Sequence, residues 1–357
     1  MIISLSDTTS AKISSALLRA RRNAGSPTMG MVLTLIIVTD EDHYEEALAS
    51  ATSAGREHPC RILLVVTGNG RRPGLDAEVR IGEGTTGEVV IIRMRGELAR
   101  HQASVIRPLL LPDSPVVIWW PGKCPANPAG DELAQLARRR ITDAAAAARP
   151  LTALRERAES FEEGDTDLTW TRVTPWRALL AASLDQYPAR VRSAEVEAER
   201  SNPSAELLAA WLRSRLKVDV TLKVSDGPGI TAVRMTTAAG DIAITRPDGR
   251  LASYTVPGQP NRLVALKRRE VTELITEELR RMDHDDVFAA TLNAYRRSNG
   301  RTPAKKTAKK STGQRTASAK SATQRTASAR GTAQKTSAAK KSTAKKSAAK
   351  KSARSAR

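Results

Sequence analysis

VLTLIIV (Val32 to Val38), a helical pattern through Tyr44, Ala47, Leu48 and Ala51, and RILLVV (Arg61 to Val66) together decide the fold class. Both apolar runs are short and rich in β-branched residues, so they read as strands buried on both faces. The segment between them spaces its apolar residues three and four apart, which puts them on one face of a helix ending near Gly55. Strand, helix and strand in that order make a parallel pair with a helical crossover. Upstream, SAKISSALLRARR (Ser10 to Arg22) predicts a leading helix, with Ser6 or Asp7 as N-cap and Gly25 as stop. Downstream, EVRI (Glu78 to Ile81) and EVVIIRM (Glu88 to Met94) flank a Gly-rich turn. A helix through Glu97 to Leu110, the strand PVVIWW (Pro115 to Trp120) and a helix over Asp131 to Arg140 follow. The alternation predicts an α/β domain with a mixed, mostly parallel sheet over residues 1–150.

Pro150 interrupts an Ala-rich stretch and marks the expected passage to a second domain, residues 151–298. There DLTWTRV (Asp167 to Val173) reads as a strand, and Thr174-Pro175 and Asn202-Pro203 each have the cap-then-proline order that opens a helix. VDVTLKV, ITAVRMT, DIAITR, RLASYTV and RLVALK follow, the third and fourth joined by Pro247-Asp248-Gly249, whose residues suit a tight turn. One or two helices carrying Val271, Leu274, Ile275, Leu279, Val287, Phe288 and Leu292 close the body. The expectation is an α+β domain with an antiparallel sheet.

The chain has 357 residues and a net charge of +20, from 58 Lys and Arg against 38 Asp and Glu. Of the basic residues, 18 lie between Arg301 and Arg357, where there is no acid, leaving 40 basic against 38 acidic residues in the rest. That last stretch has no Val, Ile, Leu, Met, Phe, Tyr or Trp, so nothing in it offsets the entropy of ordering. Residues 299–357 are therefore predicted to be a disordered Lys/Ala/Ser/Thr-rich tail, with QRTASAK at Gln314 repeated as QRTASAR at Gln324. Its paired lysines, Lys305, Lys306, Lys309, Lys310, Lys340, Lys341, Lys345, Lys346, Lys350 and Lys351, are candidates for nonspecific contact with nucleic acid or another polyanion. The tail has no aromatic platform for stacking, so sequence-specific reading is not expected. Cys60 and Cys124 make neither a disulfide framework nor a zinc spacing, and a reducing cytoplasm is the expected setting. No apolar run approaches the ~18 residues of a membrane span, and the N-terminus has no secretory pattern.

Gly82-Glu83-Gly84-Thr85-Thr86-Gly87 matches GxGxxG, but a strand follows it where a dinucleotide site needs a helix, so a hairpin turn is the better reading. His43, His58, His101 and His284 are scattered, and no catalytic, cofactor or metal constellation emerges. No reaction can be argued from these residues. Tryptophan stands out: five among eleven aromatics. Trp119 and Trp120 are adjacent on a strand and point to opposite faces. Either one ring meets a helix layer and the other a partner, or helices cover both. Trp170 and Trp176 come with Arg172 and Arg177, a pairing enriched at binding hot spots, although core packing is the alternative for each ring.

Several long blocks carry a family likeness: HQASVIRPLLLPDSPVVIWWPG (His101 to Gly122), RRRITDAA (Arg138 to Ala145), DLTWTRVTPWRALLAA (Asp167 to Ala182), AELLAAWLRSRL (Ala205 to Leu216) and EELRRMDHDDVFAATL (Glu277 to Leu292). With these the body resembles the OpcA family of glucose-6-phosphate dehydrogenase assembly proteins. The resemblance implies a non-enzymatic partner that binds glucose-6-phosphate dehydrogenase, favours its active oligomer and promotes NADPH production in the oxidative pentose phosphate pathway. It makes Trp119, Trp120, Arg139, Asp143, Trp170, Arg172, Trp176 and Arg177 candidates for partner contact or for defining the fold. Two features depart from the family pattern. Some members resemble redox-controlled regulators that rely on cysteines, but thiol switching is not expected from Cys60 and Cys124, and the lysine-rich tail is an addition that suggests a tether to nucleic acid or to an acidic surface.

Overall fold

The computed structural model describes residues 1–24, 30–68, 70–82 and 87–299. The lysine-rich tail and the middle of the GxGxxG stretch lie outside the described residues.

Residues up to Asp167 run β1 (Ile2–Leu5), α1 (Ser10–Ala24), β2 (Leu33–Asp40), α2 (Tyr44–Ala54), β3 (Cys60–Gly68), β4 (Gly74–Ile81), β5 (Glu88–Arg95), α3 (Gln102–Ile106), β6 (Val116–Trp119), β7 (Arg139–Thr142), α4 (Pro150–Glu159) and β8 (Asp165–Asp167). The eight strands form one sheet in the order β1-β4-β5-β3-β2-β6-β7-β8. From β5 to β8 all neighbours are parallel, as the crossover through α2 requires. β4 and β5, consecutive in the chain, pair antiparallel, and β1 pairs antiparallel with β4. Helices cover both faces. Ile13, Leu17 and Ile106 pack with Ile36, Leu63 and Trp120 on one side. Ala47, Ala51 and Leu274 pack with Leu35, Leu64 and Trp119 on the other. This double covering explains the unbroken apolar runs of β2 and β3. Gly87, which ends the GxGxxG stretch, has a packing role: a Cβ there would lie 2.1 Å from the Cys60 carbonyl oxygen.

The remaining elements are α5 (Leu168–Arg172), α6 (Thr174–Gln186), β9 (Ser193–Ala198), α7 (Pro203–Leu216), β10 (Asp219–Val224), β11 (Ile230–Thr237), β12 (Gly240–Thr245), β13 (Leu251–Thr255), β14 (Arg262–Ala265), α8 (Val271–Leu279) and α9 (Asp286–Asn299). A second sheet has the order β10-β9-β11-β12-β13-β14. Its pairs are antiparallel except β9–β10, which α7 crosses over to make parallel. Trp176, Leu208, Leu212, Phe288 and Leu292 pack on Val196, Val233, Met235, Ile242 and Ile244 to form its core. The Asp248 carboxylate accepts from the Arg250 and Leu251 amides in the β12–β13 turn, and Gly249 takes φ 73°, as Pro-Asp-Gly predicts. Asn202 caps α7 by accepting from the Ala205 amide.

Three segments differ from their predicted form. The helix expected over Asp131 to Arg140 is reduced to a 3-10 turn at Ala134–Leu136, because Arg139 to Ile141 pair with β6 and the sheet overrides helix propensity. The strand expected over Asp167 to Val173 stops at Asp167, whose side chain accepts from the Thr169 amide and caps α5. The helix expected from Glu97 to Leu110 is broken into a 3-10 turn, α3 and a second 3-10 turn containing Pro108. The leading helix starts as expected, but Thr9 rather than Ser6 or Asp7 supplies the capping oxygen, to Lys12. The first sheet also draws on residues past Pro150: β8 is its last strand, and α8 packs on α2 over its face. The described residues all belong to one compact unit.

Candidate functional site

The sequence candidates fall into three places. Trp119 and Trp120 are 0% and 2% exposed, on opposite faces of the first sheet as strand alternation dictates. Helices cover both rings, the second of the two arrangements that strand alternation left open. Trp170 and Trp176 are also buried, each 2% exposed.

A polar cluster forms where the parallel strands end. Asp143 follows β7 and accepts two hydrogen bonds from Arg172, Nη1 to Oδ1 and Nη2 to Oδ2, each 2.7 Å, plus one from the Ala145 amide. Burial pushes the Asp143 carboxyl up, and the Arg172 guanidinium opposes that shift. Asp167, at the end of β8, accepts from the Thr142 hydroxyl at 2.6 Å and from the Ala144 and Thr169 amides. Ligands of open parallel sheets bind at such strand ends. Here both carboxylates are engaged in holding the backbone and one arginine.

A second cluster brings together Arg139, Trp170 and Arg177. Arg139 Nη2 donates to Glu278 Oε2 at 2.5 Å and Nη1 to the Asp283 carbonyl at 2.6 Å, while the Thr171 hydroxyl donates to Glu278 Oε1. This buried pair pins α8 to β7 and α5. Trp170 Nε1 donates to Asp285 at 2.8 Å, and Asp285 in turn accepts from the Val287 and Phe288 amides at the start of α9. The Arg177 guanidinium carbon sits 3.6 Å from the centre of the Trp170 ring. Burial pushes Arg177 down to about 10. A cavity of about 390 Å³ opens between these groups and Arg281.

Asp143, Arg172 and Trp176 line a different cleft of about 370 Å³, between the segment after β7, the start of α7 and one end of the second sheet. Its other side carries Arg246 and Arg268, which the sequence reading overlooked. A signal was available. In DIAITR, Ile242, Ile244 and Arg246 share one face by period two, so a charge is placed in an inward apolar row. Arg246 is 4% exposed, lies over the Trp176 ring and donates to the Leu266 and Ile230 carbonyls, each at 2.8 Å.

Of the histidines, His43 pairs with Asp40, and His284 pairs with Glu163 and Asp286 at the exposed surface. Among the described residues no group of three His, Cys, Asp or Glu is placed to hold a metal ion. No described helix is long and apolar enough to cross a membrane. Cys60 and Cys124 are free thiols, each pushed up to about 12 by burial.

Two family models match in chain order: the glucose-6-phosphate dehydrogenase subunit N-terminal domain over residues 51–159 and the C-terminal domain over residues 163–292. The chain belongs to the OpcA family of glucose-6-phosphate dehydrogenase assembly subunits. Together the models cover the strands from β3 to β14 and all eight site candidates of the body. No curated protein matches the chain. Among solved structures, a 3-ketoreductase from Actinomadura kijaniata is similar at 11% identity and TM-score 0.44, covering 76% of this chain and 96% of that one. A putative myo-inositol dehydrogenase from Sinorhizobium meliloti is similar at 9% identity and TM-score 0.39, covering 74% and 95%. Likeness at this level carries no argument about what the family member does.

Proposed function

We propose that this chain binds glucose-6-phosphate dehydrogenase in the cytoplasm as a non-catalytic partner, favours its active oligomer and so raises NADPH production in the oxidative pentose phosphate pathway. The match of both family models, in order along the body, carries the reading. The side-chain chemistry supports it, because the buried acids Asp143, Asp167 and Glu278 are consumed in caps and ion pairs. To activate, the chain must bind the active state more tightly than the inactive one, and a preference of about 1.4 kcal/mol shifts that equilibrium tenfold.

The docking face in this reading is the outer side of the second sheet. Its rows are exposed or half-buried for the most part, and they include Leu251 at 53% and Leu263 at 76% exposure. Register puts the two leucines on one face of neighbouring strands, since Leu251 pairs with Ala265 and Ser253 with Leu263. At the other end of the same face Arg234 bridges Glu195 and Glu197. Leucines toward one edge of this face and a charged cluster toward the other combine the apolar and polar contacts that protein interfaces use. Sedimentation of the two purified proteins, separately and mixed, tests the proposal. A new, heavier species that Leu263→Asp weakens supports it, and unchanged sedimentation at micromolar concentrations rejects it.

The tail favours a second, additional reading. Its 18 cations without an acid would attract nucleic acid without sequence preference. In this reading the tail tethers the assembly subunit and leaves its action on the dehydrogenase unchanged.

A further inference from the structure

We propose that the cleft lined by Arg246 and Arg268 is a binding site for a small phosphorylated molecule, with its phosphate between the two guanidinium groups. The charge balance of the cleft is the starting point. Arg172, Lys267 and Arg269 have carboxylate partners in Asp143, Glu273 and Glu277. Arg200, Arg246 and Arg268 line the same cleft and form no ion pair among the described residues, and the one further acid in the lining, Glu199, accepts from Asn202. A buried guanidinium normally has a carboxylate beside it, since desolvating an uncompensated charge is costly. Arg246, at 4% exposure, instead meets the Trp176 ring and two neutral carbonyls, which take up part of its donor set, and its buried Nε has no hydrogen-bond partner.

Geometry brings the second arginine to the same point. A Cβ built on Gly229 would lie 3.7 Å from Arg246 Nη2 and 3.6 Å from Arg268 Nε, so both forks converge where this glycine leaves room. Gly229 takes φ 65°, a conformation that disfavours any side chain there. Burial first and then the proximity of Arg268 push Arg246 down to about 10, against the opposing pull of Asp248, so the two cations repel each other. A dianion relieves that repulsion on both sides at once, whereas a monoanionic carboxylate answers only one charge. Arginine forks suit phosphate oxygens bidentately.

The rest of the cleft decides the ligand class. Pro150, Pro175, Ile230 and Leu266 supply an apolar wall beside the arginines. A volume of about 370 Å³ exceeds what a bare phosphate needs and sits at the small end of organic-ligand pockets. The class is therefore a phosphomonoester with a compact, partly apolar body. The proposal concerns this chain alone and stands or falls independently of dehydrogenase binding.

Isothermal titration of the full chain with phenyl phosphate and with inorganic phosphate, at ionic strength held constant with chloride, tests it. Saturable one-to-one binding is expected, with phenyl phosphate tighter than inorganic phosphate. Arg268→Gln, at an exposed position that leaves the fold and the cationic tail intact, is expected to weaken it at least tenfold. Unsaturable heats, or equal affinity in Arg268→Gln, would overturn the proposal. Independently, phenylglyoxal modification of Arg268, read by peptide mass spectrometry, should be slowed by phenyl phosphate and not by chloride. Equal modification rates would likewise overturn it.

Discussion

Glu278→Ala removes the carboxylate that neutralises Arg139 at the contact between α8 and the first sheet. Both residues are nearly inaccessible, at 5% and 6% exposure, so water does not replace what is lost. Deleting one partner of a buried pair costs about 3–5 kcal/mol, because the other charge is stranded. The Thr171 hydroxyl loses its acceptor as well, adding about 1 kcal/mol. Removing both charges at once has a different outcome. Arg139→Met combined with Glu278→Leu keeps an apolar filling of similar volume, and such replacements are often neutral. The double variant should thus be more stable than Glu278→Ala by about 2 kcal/mol or more. Urea unfolding of the full chain, followed by circular dichroism and extrapolated linearly, measures both differences. A loss below about 1 kcal/mol in Glu278→Ala would refute the claim that this pair is desolvated and holds α8 in place.

Other consequences are as direct. Trp119→Ala should cost about 3–5 kcal/mol in the same unfolding assay, since its ring fills the core beneath α2 and α8; a loss near zero would mean the ring is not packed there. Gly87→Ala should lower the melting temperature measurably, because its Cβ would collide with the Cys60 carbonyl; an unchanged melt would contradict that close approach. At pH 8 native Cys60 and Cys124, both raised to about 12, should react with a thiol-specific disulfide reagent roughly 10³-fold more slowly than the unfolded chain, with rates rising as pH climbs toward 12. Fast native reaction would reopen thiol control. A chain ending at residue 299 should lose DNA binding in gel-shift assays, whereas the full chain should lose roughly 10³ to 10⁵ in affinity between 50 and 200 mM salt if six to ten cations meet phosphates. Retained binding by the shortened chain would place the site in the body.

The parallel core was legible because β2, α2 and β3 combine period, length and composition that agree with one another. What escaped was decided by contacts distant in sequence. Arg139 to Thr142 look helical among alanines and arginines, yet β6 and β8 flank them and claim their backbone. Ser193 to Ala198 alternates Ala, Val and Ala inward with glutamates outward, a strand pattern hidden by residues that favour helices, and its omission concealed the parallel β9–β10 pair. β1 is only 4 residues long and shows its alternation too briefly to read. At the site, the tryptophan–arginine association was visible, but not its sorting. Arg177 lies on Trp170, whereas Trp176 carries Arg246, seventy positions away. Sequence spacing fixes which residues share a face and is silent about which charges meet across the core.

The most direct test of the central claim is the rate of NADPH formation by purified glucose-6-phosphate dehydrogenase as this chain is titrated in. The account predicts a saturable rise in rate together with a shift in the dehydrogenase's oligomer mass, with no NADPH formed by this chain alone. An unchanged rate and oligomer mass at micromolar concentrations, or NADPH formation by this chain without the dehydrogenase, would contradict it.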